Sequence, residues 1–292
     1  MLALVGIVVV LGSVIGGFVL AGGSVPVLFQ PSEFIVIGGA ALGALLVGTP
    51  AGVIKGLVRK VPALIKGGRS DRDYLDLLLM GFELLTLARR EGLVALEKHL
   101  ESPLQSPILA RYPSITADAA VLTFLTDTLE LFTSGVKIGD HELAELLEAD
   151  LHVRKEEEQR PAKALLTMAD ALPGLGIVAA VLGIVVTMGH IDGPPAEIGH
   201  HVGAALVGTF LGVLLSYGVV QPMGHNLGAK LEEDHGYLVT LKDLLLSLHK
   251  GANPAMAAEL ARRSLPAEVR PSSAELSEAC RALKTQGGNG GG

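Results

Sequence analysis

The sequence has no tryptophan, only one cysteine and few charged side chains. Aromatic residues make up 4% of the 292 residues and charged residues 18%, whereas hydrophobic residues make up 49%. The single cysteine, Cys280, excludes an intrachain disulfide framework. The net charge of −7 provides no basic surface for nucleic acid. We therefore expect a reduced, acidic protein with no nucleic-acid partner.

Charged residues are also absent from four long apolar runs. Each run is close to the ~20 residues that an α-helix needs to cross a bilayer core. A segment in lipid must satisfy its own backbone polar groups, so each run is predicted to be helical. The sequence thus predicts an all-α integral membrane protein with four transmembrane helices. The runs are Leu2–Leu20, Phe34–Ile54, Ala171–Gly189 and Val202–Met223.

Lysine and arginine are distributed unevenly around these runs. The connections Ala21–Glu33 and His190–His201 contain neither residue, whereas six basic residues follow the second run between Lys55 and Arg72. The positive-inside rule assigns that basic flank to the cytoplasm. We therefore expect both termini, and both large polar blocks, to be cytoplasmic.

Four regions follow from this topology. A first transmembrane hairpin is followed by a cytoplasmic helical domain, a second hairpin, and C-terminal cytoplasmic helices with a flexible glycine-rich tail. The predicted limits are 1–54, 55–169, 170–224 and 225–292.

The polar blocks are predicted to be helical. The leucine spacing in Asp71–Arg90 fits a buried helix face. Three acids interrupt Ile115–Phe132, which therefore reads as a core helix of a soluble bundle rather than a fifth span. A charged helix is expected over Asp140–Gln159, ending near Pro161. Further helices are expected at Ala229–Lys250, after Pro254 and after Pro271, with a flexible tail at Gly287–Gly292.

Prolines and hydroxyls stand out in the third and fourth runs. Pro173 and Pro222 mark run ends, and each indicates either the end of a helix or a hinge, because proline removes a backbone donor. Thr209 and Ser216 are seven residues apart and share a helix face. Their hydroxyls could line a pathway or bond to their own helix backbone.

Glycines at small-xxx-small spacing indicate close helix packing, either within one subunit or between subunits. The pairs are Gly12 and Gly16, Gly39 and Gly43, and Gly208 and Gly212.

Motifs for metal or nucleotide chemistry are missing. His200 and His201 are adjacent and point to different helix faces, and with His190 they do not form a convincing metal site. The sequence has no phosphate-binding loop and no nucleophile elbow. We expect neither an enzyme nor a cofactor. An ion pathway through four spans without an acid must borrow its carboxylate from a partner.

The third and fourth apolar runs, with several shorter motifs, resemble those of the MotA family of flagellar motor stator proteins. Asp-Ala-Leu-Pro-Gly-Leu-Gly-Ile-Val-Ala-Ala-Val-Leu-Gly at 170–183 is similar to the family's third membrane helix. Val-Gly-Thr-Phe-Leu-Gly-Val-Leu-Leu-Ser-Tyr-Gly at 207–218, followed by Pro222, is similar to the fourth. Gln-Pro-Ser-Glu at 30–33, Gly38-Gly39 and Arg-Pro-Ser at 270–272 also fit. The resemblance covers nearly everything except the glycine tail.

The resemblance implies a flagellar stator subunit in the bacterial inner membrane. Such subunits form a ring of five copies around two copies of MotB, a single-span protein. MotB supplies the ion-carrying aspartate and anchors the unit to peptidoglycan. Ion passage then turns the ring against the flagellar rotor switch complex. By resemblance, Pro173 and Pro222 couple protonation of the aspartate to movement, and Arg89, Arg90 and Glu97 face the rotor.

Ala180 bears on the choice of ion. Sodium-driven relatives carry threonine at this position of the third helix. Since this chain has alanine there, Thr209 is the nearest hydroxyl. One hydroxyl and one borrowed carboxylate supply too few oxygen ligands for a sodium site. The expected ion is the proton.

Two alternatives stay open. The ExbB and TolQ type of energy-transducing subunit has three spans with its large insert after the first, whereas a two-span hairpin precedes the insert in this chain. A membrane scaffold without ion flux is the second alternative.

Overall fold

The computed structural model describes residues 2–64, 67–135 and 137–288, and its regular elements in these ranges are helical. Short 3₁₀ turns at Val61–Leu64, Leu93–Leu96, Pro103–Gln105 and Leu109–Arg111 join some of the helices. The α-helices are α1 (Leu2–Leu20), α2 (Val25–Leu28), α3 (Pro31–Gly48), α4 (Ala51–Lys60), α5 (Asp71–Glu91), α6 (Glu97–Leu100), α7 (Pro113–Thr116), α8 (Ala119–Thr133), α9 (Asp140–Met188), α10 (Pro195–Leu215), α11 (Gln221–His249), α12 (Pro254–Ser264) and α13 (Ser273–Gly288).

The chain divides into two compact units, each built from two separate stretches of sequence. The hairpin unit comprises Met1–Gly67 and Glu156–Leu231, and the bundle unit comprises Gly68–Lys155 and Glu232–Gly292. Within the described ranges, four helical stretches are long and apolar enough to cross a membrane. The prediction of an all-α protein with four spans is therefore confirmed. The four stretches are Leu2–Leu20, Val25–Gly48, Asp140–Met188 and Pro195–His249.

The second span begins and ends earlier than the apolar run Phe34–Ile54. Helix α3 starts at Pro31, because proline has a helical φ angle and needs no hydrogen-bond donor at the first helical position. It ends at Gly48, where Thr49 turns to extended backbone before Pro50. The earlier start brings Glu33 into the first turn of the span. The prediction that all spans lack an acid is thus wrong for the folded helix.

The charged helix predicted to end near Pro161 does not end there. Helix α9 continues through Pro161 and Pro173 to Met188, a length of 49 residues. An interior proline removes one helical hydrogen bond and leaves the carbonyl four residues earlier without its donor. Packing of the segment between the two prolines outweighs this loss, since Leu165 and Leu172 are buried in hydrophobic clusters of the hairpin unit. Pro173 therefore lies inside a helix and not at its end.

Helix α10 runs into α11 through a π-helical turn, Ser216–Val220. Pro222 is the second residue of α11 and has no N–H to donate to Gly218, four residues earlier. The wide turn closes instead with the Gln221 N–H bonded to the Ser216 carbonyl. Helix α11 consequently begins before the predicted start at Ala229.

The bundle unit has a continuous leucine-rich core. Helix α5 is N-capped by Ser70, whose hydroxyl accepts from the Asp73 N–H while the Asp73 carboxylate accepts from the Ser70 N–H. The predicted core helix Ile115–Phe132 is two helices, because Asp118 takes an extended conformation and caps α8. Both helices contribute to the core, α7 with Ile115 and α8 with Phe124 and Leu125. The predicted helices after Pro254 and Pro271 are α12 and α13.

Arg69 joins three segments of the bundle unit. Its Nε donates to the Asp234 carboxylate at 2.8 Å and its Nη2 to the Asp118 carboxylate at 2.6 Å. The guanidinium carbon lies 3.9 Å from the centre of the Tyr237 ring, a cation–π contact. Asp118 also accepts from the first backbone N–H groups of α8 and so caps that helix.

The C-terminal tail was predicted to be flexible from Gly287. Gly287 and Gly288 belong to α13, and residues 289–292 lie outside the described ranges.

Candidate functional site

Helices α9 and α10 cross at glycines within the hairpin unit. A Cβ atom added at Gly176 would lie 2.8 Å from the Gly208 carbonyl oxygen and 3.0 Å from the Gly212 Cα atom. At Gly183, it would lie 2.7 Å from the Ala205 Cβ atom. Only glycine permits this backbone approach, which supplies the van der Waals contact that holds helices together in lipid. The pair Gly208 and Gly212 therefore packs within one subunit.

The other two glycine pairs have open surroundings. A Cβ atom at Gly12, Gly16, Gly39 or Gly43 would meet no described atom within 4 Å outside its own helix backbone. These glycines do not serve packing within the described part of one subunit.

The crossing brings together two residues that the sequence singled out. A Cβ atom at Gly208 would lie 3.1 Å from the Ala180 backbone nitrogen, and one at Gly176 would lie 3.3 Å from the Thr209 Cα atom. Ala180 and Thr209 are both half-buried. The third and fourth spans thus present the predicted ion-pathway positions at one contact.

Pro173 lies one helical turn from this contact and is linked to α10 through a hydrogen bond. It deprives the Ala169 carbonyl of its helical donor, and the Ser216 hydroxyl replaces that donor at an Oγ–O distance of 2.7 Å. Ser216 is fully buried. Its hydroxyl therefore bonds to the neighbouring helix and not to its own backbone. Pro222 is exposed, six residues beyond Ser216.

Glu33 is the residue of this site that the apolar runs did not reveal. Its side chain is buried, with 7% exposure, and its Oε2 atom has no hydrogen-bond partner within the described residues. The same oxygen would lie 2.5 Å from a Cβ atom added at Gly208. The motif Gln-Pro-Ser-Glu at 30–33 held the signal, because Pro31 at a helix start places the glutamate inside the helix.

The predicted rotor-facing residues lie on both sides of a helix break in the bundle unit. Gly92 ends α5 with a φ angle of 85°, which favours glycine. Arg89 and Glu97 flank this break, are exposed, and have no ion pair or side-chain hydrogen bond within the described residues. Arg90 instead pairs with Glu91, the Arg90 Nη2 lying 2.5 Å from the Glu91 carboxylate. The hydrogen bond from Arg90 lowers the pKa of Glu91.

A buried polar pair, His99 and Ser106, lies in the segment that follows the break at Gly92. His99 is 2% exposed and its Nδ1 lies 2.7 Å from the Ser106 Oγ, which also accepts from the Ile108 and Leu109 N–H groups. Since Ser106 Oγ already accepts two bonds, its hydroxyl proton is directed to His99 Nδ1, which must be unprotonated. Burial lowers the pKa of His99, with a further contribution from Lys98.

The chain has clear relatives. The family model described as motility protein A N-terminal matches residues 4–92, and that of the MotA/TolQ/ExbB proton channel family matches residues 121–238. Motility protein A of Salmonella typhimurium is 39% identical over 285 residues, which is 97% of this chain and 96% of the relative. The chain belongs to the motility protein A family. Chemotaxis protein LafT of Vibrio parahaemolyticus is 36% identical to it, over 91% of this chain and 93% of LafT.

Two solved structures share the fold of this motility protein A family member. The flagellar MotAB stator complex from Bacillus subtilis matches with a TM-score of 0.75 and 25% identity, over 92% of this chain and 97% of that one. MotAB of C. jejuni matches with a TM-score of 0.76 and 20% identity, over 92% and 98%. The family predicted from the motifs is confirmed, and with it a multi-pass protein of the inner membrane.

Proposed function

We propose that this chain is a ring subunit of a flagellar stator, which works with a MotB-type partner to convert ion flow into rotation of the rotor. The observation that carries the proposal is the glycine-lined crossing of α9 and α10, with Ala180 and Thr209 at the contact, in a chain 39% identical to motility protein A. No acid other than Glu33 lies in the apolar part of the four spans within the described residues. A partner aspartate supplies the missing ion carrier.

The proposed ion is the proton. A hard cation such as sodium needs several oxygen ligands, whereas a proton needs one. Ala180 provides no side-chain oxygen, so Thr209 is the hydroxyl that the third and fourth spans offer at their crossing. The match of residues 121–238 to a proton channel family supports the same choice.

Coupling is proposed to act through Pro173 and Pro222. Pro173 weakens α9 beside the crossing, and Pro222 follows the π-turn at the end of α10. A helix with a missing backbone bond bends at lower cost than a regular one. Protonation and release of the partner aspartate would shift the crossing, and these two points would absorb the bend. Each charge moved across the membrane supplies about 2.3 kcal/mol per 100 mV.

The proposed topology places both termini, residues 55–169 and residues 225–292 on the cytoplasmic side. Helix α4 supports it, because it directly follows the second span and carries Lys55, Arg59 and Lys60. Arg89 and Glu97, which pair with no described residue, then face the rotor switch complex, with Arg90 as a weaker contributor. The proposed assembly is a pentamer of this chain around a MotB dimer.

The alternative of a TolQ or ExbB type subunit has less support. Residues 4–92, which hold the first hairpin, match the N-terminal model of motility protein A. A scaffold without ion flux has less support too, because residues 121–238 match a proton channel family.

The test uses a flagellated host that does not swim because it lacks its own motility protein A and MotB. This chain is expressed there with its cognate MotB-type partner, and swimming is measured. Motility should be restored, and should be lost when the partner's membrane aspartate is replaced by asparagine. Normal membrane levels of both proteins without any swimming would count against the proposal.

A further inference from the structure

Glu33 stands out because burial leaves one of its carboxyl oxygens without a partner. Its side chain is 7% exposed, and Oε2 has no hydrogen bond within the described part of the chain. An ionised carboxylate in such a place is costly, so ionisable residues inside membrane helices are retained for function.

The helix terminus does not account for this burial. Glu33 is the third residue of α3, where an acid interacts favourably with the helix dipole. No hydrogen bond nevertheless joins the Glu33 carboxyl to Gln30 or to another described residue. It turns toward α10 instead, into the space that Gly208 leaves by having no side chain.

Gly208 places the carboxyl at the crossing itself. The position of its missing Cβ atom is 2.5 Å from Glu33 Oε2, 3.1 Å from the Ala179 Cβ atom and 3.1 Å from the Ala180 nitrogen. Thr209 is the next residue of α10. The Glu33 carboxyl thus reaches the point where the third and fourth spans meet.

Few charges influence this carboxyl. Helices α1 and α2 carry no charged side chain, and α3 carries only Glu33. On α10, His201 is seven residues and Glu197 eleven residues before Gly208, roughly 10 Å and 16 Å along the helix. His200 lies beside His201, and His190 stacks on His201 with ring centres 5.6 Å apart, beyond the end of α9. Glu33 forms no ion pair with any described residue.

We propose that Glu33 is a second proton-binding carboxyl of the ion pathway, contributed by this subunit. A proton from water on the outer side binds to Oε2, which gives the neutral acid that can stay buried against Gly208. When α3 moves away from α10, the O–H bond breaks and the proton passes to a water molecule that leads to the partner aspartate. This inference rests on the proposed stator function and topology.

A proton fits this position better than a metal cation. Gly208, Ala179 and Ala180 offer no side-chain oxygen, so one carboxyl oxygen is the main ligand. Sodium requires several oxygens.

The test measures proton flux into liposomes that contain the complete complex with its partner, at several outer pH values. Glu33→Gln keeps the size of the side chain and mimics the protonated form. We expect it to insert normally and to lower the flux on the order of 100-fold, the usual contribution of a positioned proton-transfer group. Glu33→Asp should retain part of the flux. Glu197→Gln, an exposed acid in the first turn of α10, is the matched control and should leave the flux unchanged.

Flux through Glu33→Gln that equals the wild type at every outer pH would overturn the inference and reduce Glu33 to a packing residue. Absence of flux in the wild-type complex would instead contradict the proposed function. Infrared spectra of the intact complex provide a second readout. A protonated carboxyl band that titrates with outer pH and shifts in Glu33→Asp supports the inference, and identical bands in both proteins contradict it.

Discussion

The Ser216 hydroxyl donates a 2.7 Å hydrogen bond to the Ala169 carbonyl, the group that Pro173 leaves without a helical donor. The residues are 47 positions apart in sequence. A defect in α9 is thus repaired by a side chain of the turn that follows α10. Any bend of α9 at Pro173 must stretch or break this bond, so Ser216 links the two proline-marked regions.

This link predicts a specific coupling between two substitutions. Ser216→Ala should destabilise the protein by about 1–2 kcal/mol, because it leaves a buried carbonyl unpaired. In Pro173→Ala, the new N–H can bond to Ala169, so a second change at Ser216 should cost much less. A double-mutant cycle from thermal unfolding of the purified complex measures the difference. Additive costs would show that Ser216 does not serve the carbonyl freed by Pro173.

The pair of His99 and Ser106 predicts a pH dependence of the local stability of residues 93–109. The pKa of His99 is lowered in the folded protein, so the unfolded chain binds the proton first as the pH falls. Neutral His99 therefore contributes fully to folding stability above the ordinary histidine pKa of 6.5, and this contribution decreases below it. The hydrogen-exchange protection of residues 93–109, taken relative to the intrinsic rate at each pH, should decrease between about pH 7 and pH 5. His99→Gln, which cannot titrate, should remove this pH dependence.

Arg89 and Arg90 offer a matched comparison, because they are adjacent and exposed, and of the two only Arg90 has an ion pair with a described residue. A single exposed ion pair contributes about 1 kcal/mol or less, so Arg89→Glu should reduce torque without abolishing motility. Arg90→Glu should have a smaller effect. Torque of tethered cells at high load is the measurement, and a compensating charge reversal on the rotor should restore part of it. Unchanged swimming of the Arg89→Glu, Glu97→Lys double variant would leave these residues without a rotor role.

The neutral side chain at Ala180 predicts independence from sodium. Swimming speed at fixed pH should not rise with external sodium, and a protonophore should stop the cells. Ala180→Thr adds one hydroxyl at the crossing but still gives few oxygens for sodium, so we expect it to slow swimming without a change of ion. Speed that follows sodium and survives the protonophore would assign the pathway to sodium.

Arg69 should matter for stability far more than Arg72. Arg69 is mostly buried between Asp118 and Asp234, whereas the Arg72 side chain is 71% exposed beside Asp76. Arg69→Ala leaves two partly exposed carboxylates without their cation and should cost about 2 kcal/mol. Arg72→Ala should cost less than about 1 kcal/mol. Thermal unfolding of the two variants compares them directly.

The sequence allowed the elements with strong local signals to be predicted. Helix α1 coincides with its apolar run, and α5 has a leucine face and a capping serine, Ser70. The predicted helix end near Pro161 was wrong. Whether a proline ends a helix depends on how the following residues pack, and the local sequence does not show this. Likewise, the acceptor of Ser216 lies on another helix.

The candidate site was predictable only in part, because some of its features depend on packing between helices. Ala180 and Thr209 came from motifs, and the structure brings them to one crossing. Their roles, like those of Pro173, Pro222 and the rotor-facing charges, stay predictions. Glu33 was hidden because an apolar run ends at the first acid, whereas the helix itself starts at Pro31. Hydropathy shows which residues are apolar, but it does not show at which residue the helix begins.

The division of the bundle unit between Gly68–Lys155 and Glu232–Gly292 has a consequence for biogenesis. Arg69 is synthesised long before Asp234, which lies 165 residues later, with the second hairpin between them. Asp118 alone is available to Arg69 until the ribosome has delivered that hairpin to the membrane. The unfinished bundle must therefore wait with part of its leucine core uncovered, exposed to chaperones and proteases. Completion of the bundle unit depends on correct insertion of the spans, so a chain that fails to insert is left recognisable for degradation.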